Sequence, residues 1–290
     1  MIKFSVVMPT FNQANFIEKA ILSILSQTER SFELIVVNNY SSDNTYEIVN
    51  SFDDNRIKIF NFNNNGIIAA SSNLGILKSN GSFIAFLDSD DIWYPTKLEE
   101  CLKIINKGYN FISHKVHFKD KNKLITGIGI KNDFNLDSLL FKGNFIATSS
   151  VIVSKVLLNK LNGFNTRKEI VNSEDFDLWL RILSLENGFM IPLFLGENVI
   201  HDLNASNDIE KSYVSAKNVL DLFLKNENIY KKKKSFGFLL YSFGMAHFKI
   251  NRYKVAINYF IKSFENNPFL IRCYILIILS YFRIFFKMLK

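Results

Sequence analysis

Three carboxylates, Asp88, Asp90 and Asp91, stand within four positions directly after an apolar stretch. The apolar residues before them, Phe83–Leu87, predict a buried strand. Acids crowded at the end of a strand repel one another, and Mg²⁺ or Mn²⁺ would compensate their charge because these ions prefer oxygen ligands. The alternative is that Asp90 or Asp91 caps a helix that is predicted to begin near Pro95.

Strands and amphipathic helices alternate through the first 107 residues around this cluster. Apolar runs predict the strands. Apolar residues at helical spacing predict the first helix, and the turn and N-cap chemistry of Ser41-Ser42-Asp43 predicts the second. This order predicts an α/β fold with a mainly parallel sheet covered by helices on both faces. The predicted strands are Phe4–Met8, Leu34–Val37, Ile57–Phe60 and Phe83–Leu87, and the predicted helices are Asn15–Gln27, a short one ending near Ser51, Ile67–Lys78 and Pro95–Asn106.

Polar residues at three predicted strand ends are expected to converge, because ligands of parallel sheets bind at the carboxyl ends of the strands. These residues are Thr10, the pair Asn38-Asn39, and Asp88 with its neighbours. Neither a GxGxxG nor a GxxxxGK[ST] motif follows a predicted strand, which argues against a dinucleotide-binding Rossmann domain and a P-loop enzyme. A nucleotide at this position would therefore be bound by side chains and a metal ion rather than by a glycine-rich loop.

The net charge of +8 is unevenly distributed along the 290 residues. Residues 211–290 carry 15 Lys and Arg against 3 Asp and Glu, a net charge of +12, which leaves −4 for the first 210 residues. A basic C-terminal region favours an anionic partner, either nucleic acid or the inner membrane leaflet. Nucleic acid is disfavoured, because the region lacks interleaved stacking motifs and any recognisable nucleic-acid-binding module.

The cysteines and the N-terminal sequence predict a cytoplasmic location. Cys101 and Cys273 form neither a metal-ligand pattern nor a disulfide framework, which fits a reducing compartment. Met1-Ile2-Lys3 leads directly into the first predicted strand, without the apolar segment of a signal peptide.

Several motifs, in order along the chain, resemble those of the family 2 glycosyltransferases. The similarity covers roughly residues 1–205, and it implies a GT-A fold and inverting transfer of a sugar from a nucleotide diphosphate donor. The N-terminal motifs are Val6–Asn12, Gln27-Thr28 and Glu33–Asp43; Phe86–Pro95 with Lys97-Leu98 resembles the family's Asp-x-Asp region; and Thr148–Val151, Gly163-Phe164 and Ser173–Arg181 resemble its acceptor-side block.

The resemblance implies roles for the carboxylates. In the family the second Asp of Asp-x-Asp, here Asp90, binds the metal that bridges the two phosphates, and the first, Asp88, lies toward the ribose or the outer coordination sphere. Glu174 and Asp175 match the pair that supplies the base for the acceptor hydroxyl, with Asp175 expected in that role and Glu174 as the fallback. The residues alone equally predict an acidic helix N-terminus at this pair. Asp91 is expected to cap a helix or to support the metal ligands.

The resemblance also implies a nucleotide site, formed by Pro9, Thr10, Phe11, Asn39, Asp88 and Ser89. Thr10 and Phe11 match the position at which backbone and an aromatic ring pack on the base. Asn39 departs from the family pattern, since an Asp usually accepts the uracil N3–H there. An amide oxygen can still accept this bond, so uracil is the expected base, while thymine and guanine remain open. Ordinary turn chemistry is the alternative for Asn38 and Asn39.

His201 completes the expected metal set of Asp90, Asp88 and His201 for Mn²⁺ or Mg²⁺. The segment Val199–Ser206 resembles the family's closing His-x-x-x-x-Ser segment, whose histidine can ligate the metal or contact the diphosphate. A purely structural role is the alternative for a lone histidine. Trp93 is expected either to stack on a sugar or to belong to the core.

The expected division is a GT-A domain over residues 1–208, with a nucleotide-sugar half 1–107 and an acceptor-side half 108–208, followed by a basic helical extension over 209–290. Residues 237–270 follow a tetratricopeptide-like pattern that an amphipathic helical hairpin would satisfy equally well. Residues 269–290 are apolar, but the longest uncharged run, Cys273–Phe282, is too short to span a bilayer. We expect this helix to lie in a membrane interface, the alternative being that it packs on the preceding helices.

Together these features predict an enzyme of surface-polysaccharide synthesis (capsule, O-antigen or lipooligosaccharide). The expected donor is a nucleotide sugar, with a UDP-sugar favoured, and the expected acceptor is a glycan or a lipid-linked molecule. The expected location is peripheral, on the inner face of the cytoplasmic membrane, and homo-oligomers are allowed. The alternative is a catalytically inactive sugar-nucleotide-binding or scaffolding protein, against which the intact Asp88, Asp90 and Glu174-Asp175 argue. Donor sugar, acceptor and linkage depend on loops within about residues 119–147, which carry no readable code.

Overall fold

The computed structural model describes residues 3–120, 123–126, 132–201 and 208–288. The chain divides into two compact units. The first contains Met1–Leu136 and Phe145–Asn204, and the second contains Asp137–Asn144 and Ala205–Lys290. Residues 137–144 therefore group with the C-terminal helices.

Strands and helices alternate in the first unit, and helices dominate the second. The described strands are β1 Phe4–Thr10, β2 Phe32–Asn38, β3 Ile57–Asn61, β4 Phe83–Phe86, β5 Ile92–Trp93, β6 Phe111–Asp120, β7 Lys123–Thr126, β8 Asn132–Phe134, β9 Ile152–Ser154 and β10 Gly188–Ile200. The described α-helices are α1 Ile17–Leu25, α2 Thr45–Asn50, α3 Ile68–Lys78, α4 Lys97–Ile105, α5 Leu136–Lys142, α6 Lys155–Lys160, α7 Glu174–Leu183, α8 Ile209–Phe223, α9 Ile229–Lys249, α10 Tyr253–Asn266 and α11 Arg272–Met288. Short 3₁₀ turns span Thr148–Ser150 and Lys168–Ile170.

The sheet has the order β3-β2-β1-β4-β9-β6-β10-β5, with β7 paired to β6 and β8 paired to β10. Its first four strands are parallel, as are β6 and β10. Strand β9 runs antiparallel between β4 and β6 and joins the two parallel parts. The predicted α/β fold with a mainly parallel central sheet is confirmed.

The parallel part brings three predicted strand ends to one edge of the sheet. Thr10 at the end of β1 pairs with Asn38 at the end of β2. The backbone N–H of Asn39 donates to the carbonyl of Thr10 at 2.9 Å, and that of Leu87 donates to the carbonyl of Val7 at 3.1 Å. The chain therefore leaves β1, β2 and β4 on the same side.

The core of the first unit lies on the faces of β1 and β2, all of whose residues are buried. Helix α1 contributes Ile17, Ala20, Ile21 and Ile24, which recur at helical spacing and are buried. Full burial of such a side chain stabilises the fold by roughly 1.5–3 kcal/mol. Helix α3 closes on β1 at Gly75, where an added Cβ would lie 2.4 Å from Val7 Cγ1.

A buried acid, Glu33, ties the opposite edge of the sheet together. Its carboxylate accepts hydrogen bonds from Ser5 Oγ at 2.7 Å, Lys58 Nζ at 2.8 Å and the backbone N–H of Asn80 at 2.6 Å. Burial by itself would raise the pKa of Glu33, but these hydrogen bonds outweigh it and lower the pKa to about 2. Glu33 therefore links β1, β2, β3 and the segment before β4.

The second unit is built on a helical hairpin of α9 and α10, against which α11 packs. Its buried centre contains Ala256, Phe260, Leu270 and Cys273. The hairpin is close at Gly244, where an added Cβ would lie 2.6 Å from the Phe260 ring. Within the described residues, none of the helices combines the length and the apolar character needed to cross a membrane.

Candidate active site

Four carboxylates from distant parts of the sequence share one electrostatic environment beyond the end of β4. Burial raises the pKa of Asp88 to about 7, and the charges of Asp90, Asp175 and Glu174 add to this increase. The fold thus brings the two predicted acid pairs close enough for their charges to interact. Such crowding of negative charge favours a bound cation.

Asp90 is in direct contact with His201. The distance between Asp90 Oδ2 and His201 Nε2 is 2.8 Å, and both side chains are largely shielded from solvent. The His201 ring stacks on Phe16, with 4.5 Å between ring centroids. The structure therefore places the predicted histidine beside the predicted metal-binding acid, with its ring held by an aromatic neighbour.

Asp91 does not cap α4, which begins only at Lys97. Its buried carboxylate instead accepts a hydrogen bond from Ser149 Oγ at 2.5 Å and another from the backbone N–H of Val199 at 2.9 Å. Val199 lies two residues before His201 on the chain. Asp91 therefore stabilises the candidate site by connecting the segment after β4 to the end of β10.

Ser149, in the 3₁₀ turn 148–150, was assigned no role from the sequence. Besides its bond to Asp91, its Oγ accepts from the backbone N–H of Asp88 at 3.0 Å. Its carbonyl oxygen accepts from Trp93 Nε1 at 2.7 Å and from the buried Lys97 Nζ at 3.1 Å. Trp93 is only 2% exposed, so it belongs to the core rather than to a sugar-stacking surface. Only the long-range contacts show that Ser149 fixes the backbone at Asp88.

Glu174 and Asp175 occupy the first turn of α7, so they form the acidic helix start that the residues alone also predicted. Burial raises the pKa of Glu174 to about 7; the charge of Asp175 adds to this increase and hydrogen bonds from the backbone of residues 172–174 oppose it. Asp175 is half-buried, and its Oδ2 lies 3.4 Å from Thr148 Oγ1. The turn that contacts Asp88 therefore also contacts Asp175.

Other residues of the acceptor-side block hold α7 in place. Arg181 Nε donates to Asp177 Oδ2 at 2.7 Å, and its terminal nitrogens donate to the carbonyls of Leu161 and Gly163 at 3.0 and 2.9 Å. Gly163 has φ +65°, a left-handed conformation that glycine adopts without steric cost. These contacts orient the helix that presents Glu174 and Asp175.

The predicted nucleotide-binding residues surround the ends of β1 and β2. Pro9 and Thr10 are buried, and among the described residues Thr10 Oγ1 has no hydrogen-bond partner. Phe11 is 52% exposed, which leaves its ring accessible to a planar ligand. Ser89 is buried beside the acid cluster.

Asn38 and Asn39 are involved in local hydrogen bonds. Asn38 Oδ1 accepts from both the backbone N–H and the hydroxyl of Ser41, so the turn interpretation describes Asn38. Asn39 Oδ1 accepts from the backbone N–H of Asn64 at 3.0 Å. One lone pair of this oxygen is therefore engaged, and one remains for a nucleobase donor.

The donor set of Asp88, Asp90 and His201 is chemically suited to a divalent cation. Carboxylate oxygens with one imidazole nitrogen suit Mn²⁺. The ion would offset the negative charge of Asp90, Asp175 and Glu174, which adds to the effect of burial in raising the pKa of Asp88. In the part of the chain that the structure describes, no three His, Cys, Asp or Glu side chains form a ready metal cage. An ion held by one or two carboxylates and completed by substrate phosphates does not require one.

Residues 5–159, more than half of the chain, match the family model described as Glycosyl transferase family 2. The chain is a family 2 glycosyltransferase. An uncharacterized glycosyltransferase of Rickettsia typhi is 30% identical over 216 residues, which cover 70% of this chain and 65% of that relative. The chain therefore spans slightly less than two thirds of this relative's length.

Two further similarities concern Escherichia coli and S. aureus proteins. E. coli WfgD, a UDP-Glc:alpha-D-GlcNAc-diphosphoundecaprenol beta-1,3-glucosyltransferase, is 33% identical over 184 residues, which cover 63% of this family 2 chain and 70% of WfgD. The crystal structure of S. aureus TarS 1-349 in complex with UDP matches with a TM-score of 0.67 at 18% identity and covers 96% of this chain and 89% of that chain. At this identity the match establishes the fold alone, and the predicted GT-A fold is confirmed.

Proposed function

We propose that this family 2 glycosyltransferase transfers a sugar, with inversion, from a UDP-sugar to a hydroxyl group of a glycan or lipid-linked acceptor during surface-polysaccharide synthesis. The observation that carries the proposal is the convergence of Asp88 and Asp90 with Glu174 and Asp175. Burial raises the pKa of Asp88 to about 7, and the charges of the other three carboxylates add to this increase. Metal-assisted sugar transfer to a hydroxyl requires one acid pair that binds a cation and a second acid pair that supplies a general base.

On the donor side, Asp90, with Asp88 and His201, would hold Mn²⁺ or Mg²⁺. When bound, such an ion stabilises the negative charge that develops on the departing diphosphate. The exposed Phe11 ring would pack on the base, and Asn39 would accept a hydrogen bond from it. Asp91 and Ser149 keep the backbone of Asp88 in position through their buried hydrogen bonds.

On the acceptor side, Asp175 would remove the proton of the attacking hydroxyl. Its contact with Thr148 Oγ1 orients the carboxylate, and α7 is fixed by Asp177 and Arg181. Inversion requires a base on the face of the sugar opposite the leaving group. Glu174 is more deeply buried than Asp175, and this burial raises its pKa to about 7 beside the base.

The relatives support the choice of donor and acceptor. The names of E. coli WfaP and WfgD specify UDP-Glc as donor and GlcNAc-diphosphoundecaprenol, a lipid-linked sugar, as acceptor. TarS has been crystallised with UDP and with UDP-GlcNAc. We therefore propose a hexosyl or N-acetylhexosaminyl donor and a site of action on the inner face of the cytoplasmic membrane.

The first test is donor hydrolysis and transfer with a panel of UDP-hexoses and UDP-N-acetylhexosamines, with GlcNAc-diphosphate-lipid as acceptor and Mn²⁺ present. We expect turnover of at least one donor, its loss in EDTA, and its recovery when Mn²⁺ is restored. Asp90→Asn should lower the rate roughly 100-fold or more, because charge stabilisation at the leaving diphosphate is lost. The exposed Asp53→Asn is the matched control and should retain the rate.

The second arm tests the base. Asp175→Asn should lower the transfer rate about 10²- to 10⁴-fold while the Kd for UDP stays unchanged, because the base does not act on the nucleotide. If Glu174→Gln abolishes transfer and Asp175→Asn does not, the assignment within the pair is wrong. UDP-sugar binding without any turnover would instead identify an inactive sugar-nucleotide-binding protein.

A further inference from the structure

Helix α11 of the second unit exposes a continuous apolar face. Eight of its aromatic and aliphatic side chains are 44–60% exposed. Apolar side chains scattered singly on a surface are ordinary, but a contiguous patch of this kind marks an interaction surface. The face, which we call the α11 face, consists of Tyr274, Ile275, Ile278, Leu279, Tyr281, Phe282, Phe285 and Phe286.

The positions of these residues around the helix show that the face is continuous. At about 100° per residue, the eight side chains occupy an arc roughly 160° wide. The opposite side of α11 packs within the second unit through Cys273 and Ser280, which are fully buried. A helix that packs on one side and faces water on the other would carry polar residues on its outer side. The outer side of α11 is apolar instead, so binding of a partner that removes this side from water would be favourable.

Basic residues border the α11 face on one side. Arg272 and Arg283 are exposed, and their positions on the helix adjoin the apolar arc. The surrounding segment is also positively charged, since residues 211–290 carry a net charge of +12. Long basic side chains at the border of an apolar helix face can reach anionic groups while their stems cover apolar surface.

We propose that the α11 face lies in the interface of an anionic lipid bilayer. The Phe282, Phe285 and Phe286 rings insert at the boundary of headgroups and acyl chains, and Arg272 and Arg283 contact lipid phosphates. Charge decides between this occupant and a second copy of the chain, because two regions of +12 would repel each other whereas an anionic surface attracts one. This inference concerns the second unit and does not depend on the proposed reaction.

The test measures co-sedimentation of the full-length protein with vesicles of phosphatidylcholine alone or mixed with phosphatidylglycerol. We expect binding to the mixed vesicles that weakens as salt is added. The double variant Phe282→Ser/Phe285→Ser should lower the partition coefficient at least tenfold. Arg272→Glu/Arg283→Glu should remove the preference for phosphatidylglycerol. Leu77→Ser, which alters a similarly exposed apolar residue on α3, is the matched control and should bind as the parent does.

Two outcomes would overturn the proposal. One is equal vesicle binding by the parent and the Phe282→Ser/Phe285→Ser variant. The other is a dimer in analytical ultracentrifugation that this variant converts to a monomer, which would make a second copy the occupant. Thermal unfolding of each variant separates loss of binding from loss of folding. Donor hydrolysis, measured in parallel, should not change in any variant, so failure of this inference is distinguishable from failure of the proposed reaction.

Discussion

At the scale of single residues, Ser149 links the parts of the candidate site. Its hydroxyl accepts from the backbone of Asp88 and donates to Asp91, while the preceding Thr148 contacts Asp175. The residue is 2% exposed, so no water would readily replace these bonds. Ser149 therefore acts through the carboxylates that it positions rather than on a substrate.

Ser149→Ala should lower the donor-hydrolysis rate about 10- to 100-fold, because Asp88 loses the group that fixes its backbone and Asp91 loses a hydrogen bond. The free energy of unfolding should fall by about 1–3 kcal/mol. Ser150→Ala is the matched control, since Ser150 is also buried and hydrogen-bonded, to Ser113 and the Ala147 carbonyl. It should show a comparable loss of stability with the rate preserved. A parallel loss of rate in both variants would reduce Ser149 to a structural role.

Glu174 illustrates the cost in stability of a buried acid at the site. Its pKa is about 7 in the folded protein and 4.5 in the reference state, so the folded state binds the proton more tightly. The contribution of Glu174 to stability is therefore most favourable below pH 4.5 and is lost as the pH rises from 4.5 through 7. Glu174→Gln, which does not titrate, should gain up to about 3 kcal/mol relative to the parent between pH 4.5 and pH 8. Urea unfolding of the metal-free proteins at both pH values measures this change, and a constant difference would contradict it.

At the scale of elements, Glu33 has the opposite effect on stability at the far edge of the sheet. Its pKa of about 2 lies below the reference value of 4.5, so its contribution is present above pH 4.5 and is lost as the pH falls through 2. It amounts to about 3 kcal/mol at neutral pH. The contribution belongs to the packing of β1, β2 and β3, because the hydrogen-bond donors come from those strands and the segment before β4.

Glu33→Gln should therefore destabilise the protein at pH 7, and the difference from the parent should shrink steadily below pH 4.5. Thermal unfolding across this pH range measures the effect. Glu47→Gln, on an exposed position of α2, controls for the loss of one negative charge. A Glu33→Gln variant with the stability of the parent at pH 7 would show that the buried hydrogen bonds do not outweigh the burial of the charge.

The same scale shows which elements the sequence could predict. Apolar runs, helical spacing and N-cap chemistry predicted β1, β2, β3, β4 and the first four helices with bounds within a few residues of those observed. These predictions succeeded because a helix or strand buries one of its own faces, so the spacing of apolar residues within a short segment reveals the type of element. The prediction that Asp91 caps α4 was wrong for a long-range reason. Its hydrogen-bond partners, Ser149 and Val199, are distant from it in the chain.

At the scale of the whole molecule, the chain forms two units of different character, and residues 137–144 of the second unit lie within the sequence of the first. The first unit carries the carboxylates of the candidate site, and the second carries the basic residues and the α11 face. The separation matches the uneven charge, with −4 over the first 210 residues and +12 after them. The proposed sugar transfer and the proposed membrane contact would therefore belong to different units of the chain.

The sequence by itself determined the family, the α/β architecture, the helical extension and the two acid pairs, because motifs and periodicity are properties of short segments. Only the tertiary structure decided which groups those acids meet. It placed Asp90 against His201, engaged Asn39 Oδ1 with Asn64, grouped residues 137–144 with the C-terminal helices and left the α11 face exposed. Each of these outcomes depends on contacts between residues distant in the chain, which local spacing does not encode.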